Sequence, residues 1–354
     1  MSTRSGVPAV REGARCVALG HPRRSRCRGA GLRRVGLRSV QMLLCGTLFG
    51  LGCASPPPPS VTLLFVGDIM LGRYVEATML AHDDWTLPFR PLLSRLRAAD
   101  LTFGNLECVT AGADVGTPRV DLAFRADPRG VAGLADAGFD VVSVANNHAV
   151  DFGPDALSEM LTHLDRHGIA PVGILNSDRQ TPFVREVRGV RLGYLAFSYT
   201  DGGTVAARDP VRIAKITGKD LVGSIVAARD EVDYLIVSLH LGRQFQSTPT
   251  AAQRGIARGA IEAGADLVIG HHSHVPQEVE KYRHGFIAYS LGDFVFDHPD
   301  ASIDGVLLEI TLEQAQPRRI LYARTRINDS YQPELIGETL WEGADLEGAD
   351  GALD

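Results

Sequence analysis

The order of apolar runs predicts an α/β fold built on a mixed sheet or two packed sheets. Three observations carry that expectation. Strand-like runs alternate with helix-like segments over residues 61–269, and strands follow one another without helices from residue 278 onward. The residues equipped to bind metal stand just past apolar strands, at their carboxyl ends.

Taken in order, residues 61–66 (Val-Thr-Leu-Leu-Phe-Val) read as a buried strand, and 89–99 place apolar side chains at helical spacing. A short strand at 101–103, a short helix over Arg129–Ala137 and another strand at 141–144 follow. The helix over 154–167 has clear ends: Pro154 fits the first turn, where its missing N–H costs nothing, Leu157, Leu161 and Leu164 share a face, and Gly168 stops it. Residues 184–187 and 190–197 read as a hairpin, 220–230 as a helix, 234–239 as a buried strand, Ala251–Ala263 as a helix closed by Gly264, and 267–269 as a strand. Short strands at 278–282, 285–290, 305–312 and 320–326 complete the pattern. Residues 331–354 hold seven acids and no Lys or Arg, which predicts a solvated or frayed acidic tail. No internal repeat is visible.

The 354 residues are 45% hydrophobic and 22% charged, as expected of a core-forming chain. The net charge of −6 hides an asymmetry: the first 53 residues hold ten Arg and one acid, leaving 26 basic and 41 acidic residues, about −15, for the rest. That balance argues against nucleic acid as a partner. Four of the five cysteines lie at or before residue 53, so Cys108 is alone in the body and no disulfide framework can form there. No run of 18 apolar residues occurs, which excludes a multi-spanning helical membrane protein.

Residues 4–38 are rich in Arg and lead into an apolar run at 40–52, the layout of a signal peptide. Gly52-Cys53-Ala54-Ser55, followed by four prolines, resembles a bacterial lipoprotein cleavage site, although Gly50 stands where Leu is usual. In that class the Cys thiol is lipidated and becomes the new N-terminus, and the prolines serve as a stiff spacer. A cleaved, non-lipidated signal and a plain linker remain open, as does a twin-arginine route through Arg33-Arg34. The expected organisation is a leader at 1–53, a Pro-rich linker at 54–60, a folded domain at 61–330 and the acidic tail at 331–354. The expected location is the bacterial cell envelope, as an exported membrane-anchored lipoprotein or a secreted or periplasmic protein.

Asp68, Glu107, the group Asn146, Asn147 and His148, His240, and the group His271, His272 and His274 each follow an apolar strand. In open α/β sheets such strand ends line the ligand cleft, so these residues are expected in one place. Singly they are ordinary: an Asp after a strand caps helices, Asn-Asn-His suits a turn, and a lone His240 suits a hydrogen-bonded core histidine. His272 and His274, in extended backbone, would project to the same side. Together the oxygen and imidazole donors match Mn, Fe or Zn, with no thiolate needed.

The motifs Gly67-Asp68-Ile69-Met70-Leu71-Gly72, Gly104-Asn105-Leu106-Glu107, Ala145-Asn146-Asn147-His148 with Asp151 and Gly153, His240-Leu241-Gly242, Gly270-His271-His272-Ser273-His274-Val275 and Tyr289-Ser290-Leu291-Gly292-Asp293-Phe294 resemble, in order, those of the CapA family of poly-γ-glutamate and capsule biosynthesis proteins. That family is similar to the calcineurin-like metallophosphoesterases. The resemblance implies their fold, two packed mixed β-sheets flanked by helices, and two divalent transition metals at the strand ends. It implies Asp68 and His274 on the first metal, Glu107 as the bridging acid, and Asn147, His240 and His272 on the second. His148 would act on the leaving group and Asp151 would orient it. Asn105, Asn146, Gln244, His271 and Asp293 would stand behind the ligands or on the pocket rim.

Three departures stand out: Met70 where the wider phosphoesterases carry a metal-binding His, Gln244 where Glu is expected, and Asp293 where Asn is expected. The implied function is an envelope protein of capsule, poly-γ-glutamate or other extracellular polymer biosynthesis, acting as a dinuclear-metal hydrolase on a phosphoester or amide bond. The alternative is a non-catalytic metal-binding accessory that binds or guides the exported anionic polymer. The implied partners are that polymer or its synthesis and export machinery, and the membrane through the lipid anchor. The negative body disfavours broad capture of a polyanion, leaving Arg119, Arg125, Arg129 and Arg243 as candidates for a local cluster. Cys108 reads as a buried thiol, His82, His163, His167, His284 and His298 as surface residues, and Tyr289 and Phe294 as core or pocket wall. If Cys53 carries the anchor, Cys53→Ser releases the chain from the membrane fraction of expressing cells; retention there refutes the lipidation.

Overall fold

The computed structural model describes residues 59–175, 179–199, 211–298, 304–347 and 350–353. The leader, Cys53 and the linker through residue 58 lie outside the described residues, which belong to one unit spanning Pro56–Asp354.

In chain order, β1 (Ser60–Ile69), β2 (Leu101–Leu106), β3 (Val141–Ser143) and β4 (Ala170–Val172) are interleaved with helices α1 (Arg73–His82), α2 (Arg129–Ala137) and α3 (Pro154–Arg166). A second series follows: β5 (Phe183–Val187), β6 (Val190–Ser198), β7 (Tyr234–His240) and β8 (Leu267–His271), with α4 (Gly218–Arg229) and α5 (Ala251–Ala263) in its last two crossovers. The remaining strands longer than two residues are β9 (Val279–Tyr282), β10 (Gly285–Ala288), β11 (Asp293–Val295), β12 (Asp304–Glu313), β13 (Gln316–Ile327) and β14 (Pro333–Glu342). They form two mixed sheets. One has the order β14-β13-β12-β1-β2-β3-β4, with β11 added beside the end of β1; the other has the order β9-β10-β8-β7-β6-β5. The expected pair of mixed sheets flanked by helices is the architecture found.

Side-chain alternation sets what each strand presents. In β7, Tyr234 and Ile236 join the core that also contains Phe65 and Phe103 of the first sheet. Leu235, Val237 and Leu239 instead pack with Leu221 and Ile225 of α4 and Ala257 and Ile261 of α5. The same period divides β8, with Leu267 and Ile269 between the sheets and Val268 beneath the helices. Carried to the strand ends, it aims His240 and His271 between the sheets.

Asp68 needs a further device. Phe65 pairs with Phe103, and the Phe103 ring stands 5.9 Å from Tyr194 of the second sheet, so Phe65 is on the inter-sheet face. Asp68, three residues later, would point away in a regular strand. The register slips between Phe65/Phe103 and Asp68/Asn105, inserting one extra residue in β1. This bulge returns the carboxylate to the inter-sheet side. Gly67 permits it: a Cβ there would lie 2.0 Å from the Gly292 carbonyl oxygen.

Two expectations are corrected and one helix is added. Residues 89–99 do not form one helix; a 3₁₀ segment, Leu87–Leu92, precedes a single turn, Leu93–Leu96, because Pro91 denies the helix a donor. Helix α1 is weakly marked in the sequence because it buries only Val75 and Met79. The acidic tail is not frayed through its length: Pro333–Glu342 is an edge strand paired with β13 from Arg319/Glu342 to Ile327/Pro333, and it joins the domain expected to end at 330. Its acids meet arginines across space, Glu342 with Arg319 at 3.2 Å and Glu338 with Arg95 at 2.5 Å. Beyond it, Gly351–Ala352 pairs with β9. Among the described residues no helix is long and apolar enough to cross a membrane.

Gly67→Ala forces the β1 and Gly292 backbones apart and is expected to lower unfolding free energy by about 2 kcal/mol or more in urea titrations.

Candidate metal centre

The strand ends converge as expected. Asp68 terminates the bulged part of β1, Asn105 lies near the end of β2 with Glu107 just beyond it, and Asn146, Asn147 and His148 follow β3. His240 and His271 are the last residues of β7 and β8, and Asp293 opens β11, paired in register with Asp68. His272 and His274 are close, with ring centroids 6.2 Å apart, but not through extended backbone. Both adopt left-handed conformations, φ 89° and 58°, so the chain turns sharply within the cleft. Such angles cost a non-glycine residue free energy and persist where surrounding contacts enforce them. Here the His272 N–H donates to Asp68 Oδ2 at 3.1 Å.

The Asp68 carboxylate organises the floor. Its Oδ1 accepts from Asn105 Nδ2 at 2.9 Å and lies 3.0 Å from His271 Nδ1; its Oδ2 lies 3.7 Å from His274 Nδ1. Burial raises its pKa, yet the adjacent His271, His240 and His274 overcome that and hold the carboxyl well below the usual range. Asn105 is fixed in turn, its Oδ1 accepting from Asn146 Nδ2 at 3.1 Å, while the same Asn146 amide donates to the Leu106 carbonyl at 2.8 Å. Asn105 Nδ2 also lies 3.3 Å from His240 Nδ1, and His240 Nε2 lies 2.6 Å from Asn147 Oδ1.

Glu107 has no such support. It is fully buried, 3.4 Å from His240 Nε2, and neither carboxyl oxygen has a hydrogen-bond partner. Burial, then the charges of Asp68 and Asp293, push its pKa well up. Burial and neighbouring His272 push His240 down; burial and His274 bring His272 down to about 4, so both imidazoles are neutral at physiological pH.

These features fit divalent ions. Glu107, His240 and His272 form one triad with ligand atoms within 4.8 Å of one another, and Asp68, Glu107 and His274 form a second that shares Glu107. Both Glu107 oxygens, both His271 nitrogens and His272 Nδ1 are buried without hydrogen bonds. Unpaired buried donors and acceptors are costly, and a cation is the partner that acids and neutral imidazoles can share.

His148 stands beside this group, its Nδ1 2.8 Å from Asp151 Oδ2 and its ring 4.0 Å from Phe124. Asp151 is fully buried, and its Oδ2 also accepts from the Phe124 N–H at 2.8 Å.

His271 and Asp293, expected behind the ligands or on the rim, are fully buried because both sit in the strands themselves. Gln244 is exposed, and no hydrogen bond ties it to the ligand group. His298 is not an open surface residue: its side chain is 21% exposed, stacked on Phe296 at 4.3 Å, with Nε2 3.5 Å from Asp293 Oδ2. The alternation Phe294, Phe296, His298 was the available signal. Met70 is buried, its sulfur accepting from the Gly72 N–H, and the Cys108 thiol is buried and pushed up to about 12, largely by that burial. Arg125 and Arg129 are engaged by Glu76 and Asp127, whereas Arg119 and Arg243 are exposed.

The model of the bacterial capsule synthesis protein family PGA_cap matches residues 62–298. Over 238 residues the chain is 32% identical to the PGA biosynthesis protein CapA of Bacillus subtilis strain 168, covering 66% of this chain and 62% of that protein. Over 250 residues it is 30% identical to the capsule biosynthesis protein CapA of Bacillus anthracis, covering 67% and 60%. The matched part thus spans about three fifths of those relatives. Among solved structures, the Haemophilus influenzae NAD nucleotidase aligns with TM-score 0.44 and 11% identity over 80% of this chain and 56% of that one. With its motifs gathered in one cleft and the family match running through all of them, the chain belongs to the bacterial capsule synthesis protein family PGA_cap.

Proposed function

We propose that this chain is a metal-dependent hydrolase of the bacterial cell envelope, acting on a phosphoester or amide bond during capsule, poly-γ-glutamate or related polymer synthesis. The observation that carries the reading is the pair of ligand triads sharing Glu107, next to a histidine already oriented by a buried acid. The relatives' roles in capsule and PGA biosynthesis support the polymer, or the machinery that makes and exports it, as partner. The leader pattern ending at Cys53 supports export and a lipid anchor.

Asp68 and His274 would hold one ion, Asn147, His240 and His272 the other, and Glu107 both. The identity is Mn, Fe or Zn by the mixture of oxygen and imidazole donors. Bound there, the ions supply Lewis-acid charge and a water acidified toward neutrality. His148 supplies the proton. Its Nδ1 is committed to Asp151, so Nε2 is the atom that protonates the departing oxygen or nitrogen. Asp151, held by the Phe124 N–H, fixes the orientation of the imidazole, and the Phe124 ring against His148 keeps it in place.

In the purified full chain, hydrolysis of a generic phosphodiester or γ-glutamyl substrate should be abolished by chelator and fall by about 10²- to 10⁴-fold in His148→Ala, with metal content unchanged. Stoichiometric metal without turnover identifies the non-catalytic accessory instead, and absence of metal refutes the centre.

The buried acids also dictate a pH dependence. Burial pushes Glu107 well above its ordinary value and brings Asp293 up to about 7, so Asp293 carries a proton at pH 6 in the metal-free chain. His272, at about 4, does not. A cation must therefore displace carboxyl protons: affinity rises with pH, and binding at pH 6 releases about one proton or more. Calorimetry in buffers of different ionisation enthalpy counts them, and Glu107→Gln lowers the count.

A further inference from the structure

A third group of potential ligands lies outside the two triads. His274, Asp293 and His298 have ligand atoms within 4.8 Å of one another, and His274 also belongs to the triad with Asp68 and Glu107. Asp293 is fully buried and sits beside Asp68 on the paired ends of β11 and β1, so the two carboxylates leave adjacent backbones into one space. Asp293 Oδ1 accepts from His274 Nδ1 at 2.9 Å, while its Oδ2 has no hydrogen bond. That oxygen faces His298 Nε2 at 3.5 Å, and this nitrogen also has no hydrogen-bond partner. The His298 ring lies flat on Phe296, with an interplanar angle of 6°, and the Phe245 ring meets it edge-on at 5.5 Å. Two aromatic contacts thus hold a bare nitrogen in front of a bare carboxylate oxygen. Met70, just past the end of β1, turns its sulfur to the Gly72 N–H.

We propose that Asp293 and His298 are metal ligands that complete the position held by Asp68, Glu107 and His274. This rests on the metal-centre reading above and extends it. The completed position has three carboxylates and two imidazoles, whereas the other has one carboxylate, an amide oxygen and two imidazoles. The richer oxygen set selects a harder divalent ion, Mn²⁺ or Fe²⁺, over Zn²⁺.

The test is calorimetric titration of Mn²⁺ into the metal-stripped full chain, with metal content read by elemental mass spectrometry. Wild type is expected to take up two ions. Asp293→Asn and His298→Gln should each weaken one of them by about tenfold or more and leave the other unchanged, while His240→Ala should weaken the other. His298 is partly exposed, so its variant keeps the fold, which near-ultraviolet circular dichroism verifies. Two ions bound with unaltered affinities in both variants overturn the proposal and leave the metal centre standing. Three ions in wild type, with only the third lost in the variants, overturn the shared position in favour of a separate site. No ion in wild type overturns this proposal and the metal centre together.

Discussion

Three carboxylates withdrawn from water within one cleft set the terms for the rest of this structure. Asp68, Glu107 and Asp293 are all fully buried, and the charge of Asp68 raises the cost of ionising the other two. Only Asp68 is satisfied by the protein, through Asn105, the His272 N–H and neighbouring imidazoles. Glu107 has nothing, and Asp293 shares a proton with His274. Like charges concentrated in a dry site need protons or cations, and the neutral state of His240 and His272 favours cations.

The scaffold explains how such a cluster is tolerated. Each acid or imidazole is mounted at a strand end whose preceding residues lie in a continuous apolar core. The parity that buries Tyr234 and Ile236 also delivers His240, and the parity of Leu267 and Ile269 delivers His271. Packing and site therefore share one pattern, and the stability of the core holds the charges in register.

That shared pattern is why much of the site was legible. Strand ends marked by Asp68, Glu107, Asn147, His240 and His272 can be found from apolar runs alone, and the boundaries of α2 and α5 follow from their terminal Gly138 and Gly264. What escaped depends on contacts across the chain. The bulge at Gly67 is defined by partners on β2 and by the Gly292 backbone. Strand β14 reads as an acidic tail until its glutamates meet Arg319 and Arg95. His298 reads as a surface residue until Phe296 and Asp293 are placed beside it. The turn at His272 and His274 has no Gly or Pro to announce its left-handed backbone.

The contact between Gly67 and the Gly292 carbonyl has one more consequence. The Asp68 N–H donates to that carbonyl at 2.9 Å, so the separation of the two acid-bearing strands is set by main chain against main chain. This wall of the cleft is stiff. The backbone positions from which the Asp68 and Asp293 carboxylates project are therefore held at a fixed spacing before either side chain rotates.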